Sequence, residues 1–137
     1  MSARLTRPIV VLGLAIAASA CSSSHHADMS AKEADAATAT VGADGVQEIT
    51  IDATNMFRFD PSTITAHPGK LEVMLVDAGS YPHNLSVGSM HFTSNTVTGD
   101  LGQSTTTFVL DFAKPGTYPF ECTFHSSAGM RGTFVIR

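Results

Sequence analysis

Apolar and polar side chains alternate with a period of two along much of the chain after Val46, the spacing of half-buried strands. Val46-Gln-Glu-Ile-Thr-Ile51 and the stretch from Thr105 to Phe112 show it most plainly. Shorter runs of the same kind lie at 56–59, 63–66, 84–87, 117–122 and 132–137. Leu71 to Val76 is apolar almost throughout, as expected of a central strand. Turn residues separate these runs: Asp60-Pro61-Ser62, His67-Pro68-Gly69-Lys70, Lys114-Pro115-Gly116, and a Ser/Gly/Thr/Asn-rich region from 88 to 104. No segment carries a helical period of useful length. Seven to eight short strands at this spacing predict an all-β fold, a Greek-key antiparallel β-sandwich over residues 46–137. All eight phenylalanines fall in this domain, and most are expected in its core. Met56, Met74 and Met90 read as packing residues.

The pattern changes toward the N-terminus. Arg4 and Arg7 precede an apolar run from Ile9 to Ala20, about a dozen residues long, which has the length of a signal peptide and falls short of a bilayer span. Residues 1–20 are therefore expected to be an export signal. Ala18-Ser19-Ala20 offers small residues at a cleavage site, and Cys21 follows at once. This junction resembles the lipobox of bacterial lipoproteins, with Ala18 where leucine is usual. The resemblance implies lipidation of Cys21 and attachment to a membrane, on the side facing a periplasm or the cell exterior. Ser22 to Gly45 is rich in Ser, Ala, Thr, Asp and Gly and has no aromatic residue. Such a composition cannot bury enough apolar surface to offset the entropy of ordering. Residues 21–45 thus read as a lipidated cysteine and a flexible linker, with a mean reach on the order of 25–30 Å.

Charge narrows the partners. The net charge is −4, and removal of Arg4 and Arg7 with the signal leaves six basic against twelve acidic residues. That excludes the basic footprint nucleic acid requires. The two cysteines, Cys21 and Cys122, each have a separate local explanation, so no disulfide is expected.

The chemistry concentrates in Cys122-Thr-Phe-His125-Ser-Ser-Ala-Gly-Met130. A thiolate, an imidazole and a thioether lie within nine residues, and His83 supplies a second imidazole about forty residues earlier. Two imidazoles, one thiolate and one weak thioether form the ligand set of a blue-copper site. A lone buried cysteine is usually a small core hydrophobe; it is the joint spacing with His125 and Met130 that points to metal. Four protein ligands leave no open position for a substrate, which favours electron transfer over catalysis. His67 and His91 lack such partners and read as surface or turn residues. His25, His26 and Met29 could form an auxiliary copper-catching site, although a solvated polar linker accounts for them more simply.

Residues 46–137 resemble the cupredoxins of the plastocyanin, amicyanin and pseudoazurin group. The shared features are Phe59-Asp60-Pro61 with Ile64, Pro68-Gly69 before an apolar strand, and His83-Asn84. Lys114-Pro115-Gly116-Thr117-Tyr118, the Cys122-x2-His125-x4-Met130 loop and Gly132 before the last strand follow. The resemblance implies one type 1 copper per chain, with His83, Cys122 and His125 as trigonal ligands and Met130 axial. It further implies that Asn84 links its strand to the cysteine loop, and that His125 is the electron port, within an uncharged patch of Pro82, Phe124, Ala128 and Gly129. Phe124 departs from the proline common in these relatives just before the loop histidine, and proline there would remove an amide donor near the sulfur. Redox proteins docking near His125 are the implied partners of a monomer. The function expected is a membrane-anchored single-electron carrier outside the cytoplasm. Copper storage or delivery is the alternative, and the chain has too few histidines for the second copper centre of a copper enzyme.

Overall fold

The computed structural model describes residues 35–100 and 102–137. Eleven strands are present among them: β1 (Ala36–Thr38), β2 (Thr40–Val41), β3 (Gln47–Thr54), β4 (Arg58–Asp60), β5 (Thr63–Ala66), β6 (Gly69–Asp77), β7 (Ser86–Val87), β8 (Phe92–Thr93), β9 (Ser104–Phe112), β10 (Gly116–Glu121) and β11 (Arg131–Ile136). They form a β-sandwich. One sheet has the order β1-β5-β11-β10-β7-β8; the other runs β2-β3-β6-β9, with β4 also paired to β3.

Alternation decides which side chains meet between the sheets. In β6, Leu71, Val73 and Leu75 are fully buried, while Lys70 and Met74 point to solvent. Phe59, Phe112, Phe120 and Phe134 complete the interior, with Phe120 against Phe134 at 4.7 Å and against Phe59 at 5.1 Å between ring centroids. Each such side chain stabilises the fold by about 1.5–3 kcal/mol on burial. Met90 packs against this core, but Met56 and Met74 do not, being 77% and 41% exposed. Met74 lies on the outward parity of β6, and Met56 sits at a hairpin tip, so neither faces the core.

Two further expectations are corrected. The sheets are mixed rather than antiparallel: β3 runs parallel to β6, and β5 runs parallel to both β1 and β11. The chain leaves the second sheet after β4, forms β5 in the first, and returns as β6. The β3–β4 hairpin reverses the chain once and it reverses once more before β6, so β6 lies beside β3 in parallel. The side-chain pattern marks strands but not the direction of their neighbours. The linker also ends sooner than residue 45. Residues 36–38 pair with β5, and 40–41 pair with β3. The Asp35 carbonyl accepts from the Ser62 and Thr63 amides at 2.7 and 2.8 Å, and the Ala39 amide donates to the Thr65 carbonyl at 2.8 Å. Backbone pairing holds this segment, which is why its Ala- and Thr-rich composition gives no sign of it. The signal segment 1–20, Cys21, and His25, His26 and Met29 lie outside the described residues.

Candidate metal centre

Three connections converge over one another at the C-terminal ends of β3, β6 and β10. The β10–β11 loop carries Cys122, His125 and Met130. The β6–β7 connection carries His83, and the tip of the β3–β4 hairpin carries Phe57. The β10–β11 loop is closed by its own backbone. The Cys122 amide donates to the Met130 carbonyl (3.1 Å), the Met130 amide to the His125 carbonyl (3.2 Å), and the His125 amide to the Cys122 carbonyl (3.2 Å). A short 3-10 turn, Ser126–Ala128, follows His125 and ends at Gly129, whose φ of 85° lies in the left-handed region that favours glycine. His83 is fixed from the other side. Its amide donates to the Val97 carbonyl at 2.9 Å, and its carbonyl accepts from the Val97 amide at 2.8 Å.

These frames bring His83 Nδ1 to 3.8 Å and His125 Nδ1 to 3.6 Å from Cys122 Sγ. The three donor atoms all lie within 4.8 Å of one another. An ion bound at about 2.0 Å to imidazole and about 2.3 Å to thiolate, at a trigonal angle of about 120°, requires S···N separations of about 3.7 Å. The observed pair brackets that value. Cys122, His83 and Met130 are fully buried, and His125 is half-buried. Burial pushes the His83 pKa below its ordinary value; the Asp77 carboxylate opposes this and His125 reinforces it. The ring is therefore neutral at neutral pH, as a ligand must be. Its Nε2 is buried with no hydrogen-bond partner among the described residues. With Nδ1 turned to the sulfur, the donor set is the soft-to-intermediate N2S(S) combination that copper prefers. The residues present fit that metal.

A profile of the cupredoxin-like domain family matches residues 10–136. The chain belongs to this family. The plastocyanin of the fern Dryopteris crassirhizoma is 31% identical over 98 residues, 63% of this chain and 94% of that one. Among solved structures, an oxidised amicyanin mutant is 25% identical with a TM-score of 0.51, covering 73% of this cupredoxin and 90% of the amicyanin. The metal-binding domain of the Streptococcus pneumoniae D39 Cu(I)-exporting P-type ATPase CopA superposes with a TM-score of 0.58 at 14% identity. That match covers 76% and 97% of the two chains and shows likeness of fold.

The cupredoxin's other marked residues fall as follows. Asn84 is buried, and its side chain spans the gap between the two ligand-bearing segments. Asn84 Oδ1 accepts from the Thr123 amide at 2.9 Å and from Thr123 Oγ1 at 3.1 Å, and Asn84 Nδ2 donates to Thr123 Oγ1 at 2.8 Å. Phe124 is 48% exposed, its centroid 6.4 Å from the His125 ring. Pro82, Ala128 and Gly129 are exposed in the same region. His67 and His91 stand apart from the centre. His67 Nδ1 pairs with the Arg137 carbonyl at 2.7 Å, and His91 follows the 3-10 turn Gly88–Met90 with φ 50°. Cys122 is a free thiol in this fold.

Sequence reasoning overlooked three residues. Thr123 is the partner of Asn84. Phe57 stacks on His125 at 4.3 Å with 20° between the planes, and Tyr81 meets Phe57 edge-on at 5.3 Å. A bulky aromatic at a hairpin tip beside Asn55 is the only local sign of Phe57, and it is a weak one.

Proposed function

We propose that this cupredoxin is a membrane-anchored type 1 (blue) copper protein that shuttles single electrons between redox partners outside the cytoplasm. The observation that carries the reading is the close grouping of His83 Nδ1, His125 Nδ1 and Cys122 Sγ, with Met130 buried in the same closed loop. Family membership, with plastocyanin and amicyanin among the relatives, supports an electron-transfer copper protein in general. Bound copper supplies a one-electron couple between Cu(I) and Cu(II). His83, Cys122 and His125 would hold it together with Met130, whose thioether would be the weakest of the four donors.

The chain's own residues do the rest. Cys122 and His83 sit in the core and exclude water from the thiolate side. His125 is the one trigonal ligand with access toward solvent, so it is the exit for an electron. Around it Pro82, Phe124, Ala128 and Gly129 present exposed surface without charge. Small apolar patches of this kind suit the weak, brief docking of redox encounters. A catalytic role has no support in the arrangement, since its donors are directed at one another.

The deciding experiment is a visible spectrum of the copper-loaded protein with voltammetry. An intense thiolate-to-Cu(II) band with reversible one-electron cycling, both lost in Cys122→Ser, is the expected result. Colourless, readily exchanged Cu(I) would instead indicate storage or delivery. The anchor rests on the Ala18-Ser19-Ala20-Cys21 junction after the apolar run. With β1 beginning at Ala36, the proposed tether shortens to residues 22–34. Cys21→Ala should move the protein from the membrane fraction to the soluble fraction; a wild type already soluble after export removes the anchor.

A further inference from the structure

Strand β1 fixes where the proposed tether meets the domain. Its residues pair with β5 in parallel, Ala36 opposite Thr63 and Thr38 opposite Thr65. β5 in turn pairs in parallel with β11, Thr63 opposite Thr133. β11 begins at Arg131, opposite Glu121 at the end of β10, and so starts beside the loop that carries Cys122, His125 and Met130. The tether therefore joins the sandwich at its metal-bearing end. Hydrogen bonds hold the point of attachment there. The Asp35 carbonyl accepts from the Ser62 and Thr63 amides, and the Ser62 carbonyl accepts from the Thr133 amide. β1 and β10 are three strand spacings apart across the sheet, about 14 Å.

The direction of pairing decides this. An antiparallel β1 would cover the same edge of β5 and carry residue 35 to the opposite end, where β11 finishes and β10 starts. Parallel pairing is slightly the weaker mode per residue, yet it is the one formed here. Reach sets the rest. Residues 22–34, thirteen in number, separate Cys21 from the described domain. As a coil, thirteen residues have a mean span of about 20 Å. The longer strands extend about 20–30 Å from the metal-bearing end to the far end. An anchor at Cys21 thus keeps the centre about one tether span from the lipid surface. An anchor at the far end would leave it a domain length further out. Met56, Tyr81 and Phe124 are exposed on the metal-bearing end, so a partner there is met by apolar surface.

We propose that β1 turns the copper end of the domain toward the membrane, and that its electron partner is a membrane-embedded protein whose redox group opens at the bilayer surface. The inference rests on the anchored-carrier reading above and adds the orientation and the class of partner. The competing explanation is that β1 merely covers the exposed edge of β5, in which case either end would serve as the point of attachment.

The test compares two copper-loaded forms on the same phospholipid vesicles. One is the wild type, lipidated at Cys21. The other is Cys21→Ala with a second copy of residues 22–34 and a terminal cysteine added after Arg137, coupled to a maleimide lipid. The two tethers match in length and composition and differ in the end they hold. The vesicles contain a lipid with a ferrocenium headgroup. Each reduced protein gives it one electron, the ferrocenium becomes ferrocene, and no bond or proton is exchanged. Moving the tether raises the span to the centre from about 20 Å to about 45 Å, and effective concentration falls roughly as the cube of that span, so the wild type should react roughly tenfold faster. Soluble hexacyanoferrate(III) should oxidise both forms at one rate, which shows that both centres are intact. A second readout needs no electron transfer. Met56→Cys and Lys114→Cys place a fluorophore at the metal-bearing and far ends of the lipidated chain, where the buried Cys122 takes no label. Energy transfer to a dye on the lipid headgroups should be stronger from position 56. Equal ferrocenium rates for the two forms, or equal energy transfer from the two labels, overturns the orientation. Slower oxidation of the lipidated form by hexacyanoferrate would mean that its copper end is sunk in lipid, and overturns the choice of partner. A wild type that carries no lipid refutes the anchor, and one that never develops the thiolate band refutes the copper reading; either takes this inference with it.

Discussion

The bond between Asn84 and Thr123 offers the sharpest test of how the two halves of the site are held together. Asn84→Ala removes the acceptor for the Thr123 amide and the amide–hydroxyl pairing with Thr123 Oγ1. Asn84 is 5% exposed, whereas Thr123 is exposed. The freed Thr123 groups can therefore turn to water, and no orphaned-donor penalty is added. The cost is then the net value of two hydrogen bonds, about 1 kcal/mol each, or about 2 kcal/mol in total. In a domain of this size that corresponds to a fall in Tm of roughly 8–16 °C. Thermal melts of the metal-free chain, followed by circular dichroism, measure it without the contribution of ligand bonds.

A double-mutant cycle identifies the partner. Thr123→Val keeps the backbone amide but takes the acceptor from the buried Asn84 Nδ2, so alone it should cost about 1–3 kcal/mol. Combined with Asn84→Ala it should cost little more than Asn84→Ala alone, so the coupling equals the single Thr123→Val effect, about 1–3 kcal/mol. A Tm within about 3 °C of wild type for Asn84→Ala, together with additive single effects, would refute the idea that this side chain ties the His83 segment to the cysteine loop.

Three further outcomes are expected. Gly132→Ala places a methyl group against the Phe120 ring and the Ser62 carbonyl, with backbone on one side to prevent relief. It should destabilise by about 1–3 kcal/mol or more, read as a lowered Tm, and an unchanged Tm would mean β5 and β11 can part there. Met130→Leu should retain copper and raise the potential, because a weak donor to Cu(II) is lost; voltammetry giving the wild-type value would remove Met130 from the axial position. The metal-free chain should lose stability in acid. The His83 pKa is lower in the fold than its ordinary value of about 6.5, so the unfolded chain binds the proton more readily. This contribution is complete above about pH 6.5 and is lost as pH falls toward and through the folded value. Urea midpoints across that range should show it, and His83→Gln should flatten the slope.

What the sequence made legible followed from residue chemistry. Cys122, His125 and Met130 could be read because metal ligands are few in type and these lie within nine residues of each other. His83 joined them through its context rather than its position. Phe57 could not be read in the same way, since phenylalanine is usually core and a run such as Met56-Phe57-Arg58-Phe59 looks like a strand. Its role comes from a left-handed turn and from the arrival of a loop nearly seventy residues later, neither of which leaves a local pattern. The strand at 36–38 was hidden for a different reason: main-chain pairing is indifferent to side chains. Met74 was recoverable. Leu71, Val73 and Leu75 fix the inward parity of β6, and position 74 falls on the other.

The placement of these supports bears on electron transfer directly. A carrier reacts quickly when its ligands need not move between oxidation states, and ligands stay still when the protein, rather than the metal, sets their positions. Here the cysteine loop is closed by backbone bonds of its own, and His83 is clamped to Val97. Asn84 joins these two units through Thr123, and Asn55 joins the hairpin tip to the segment carrying His83. Each ligand thus has a restraint that does not depend on copper. His125, with the least burial, is the one whose restraint comes from a ring stack rather than from the core. In the proposed reading the exposure that would let an electron leave through His125 also leaves this side chain the least held by the core, and the Phe57 ring stacks on it there.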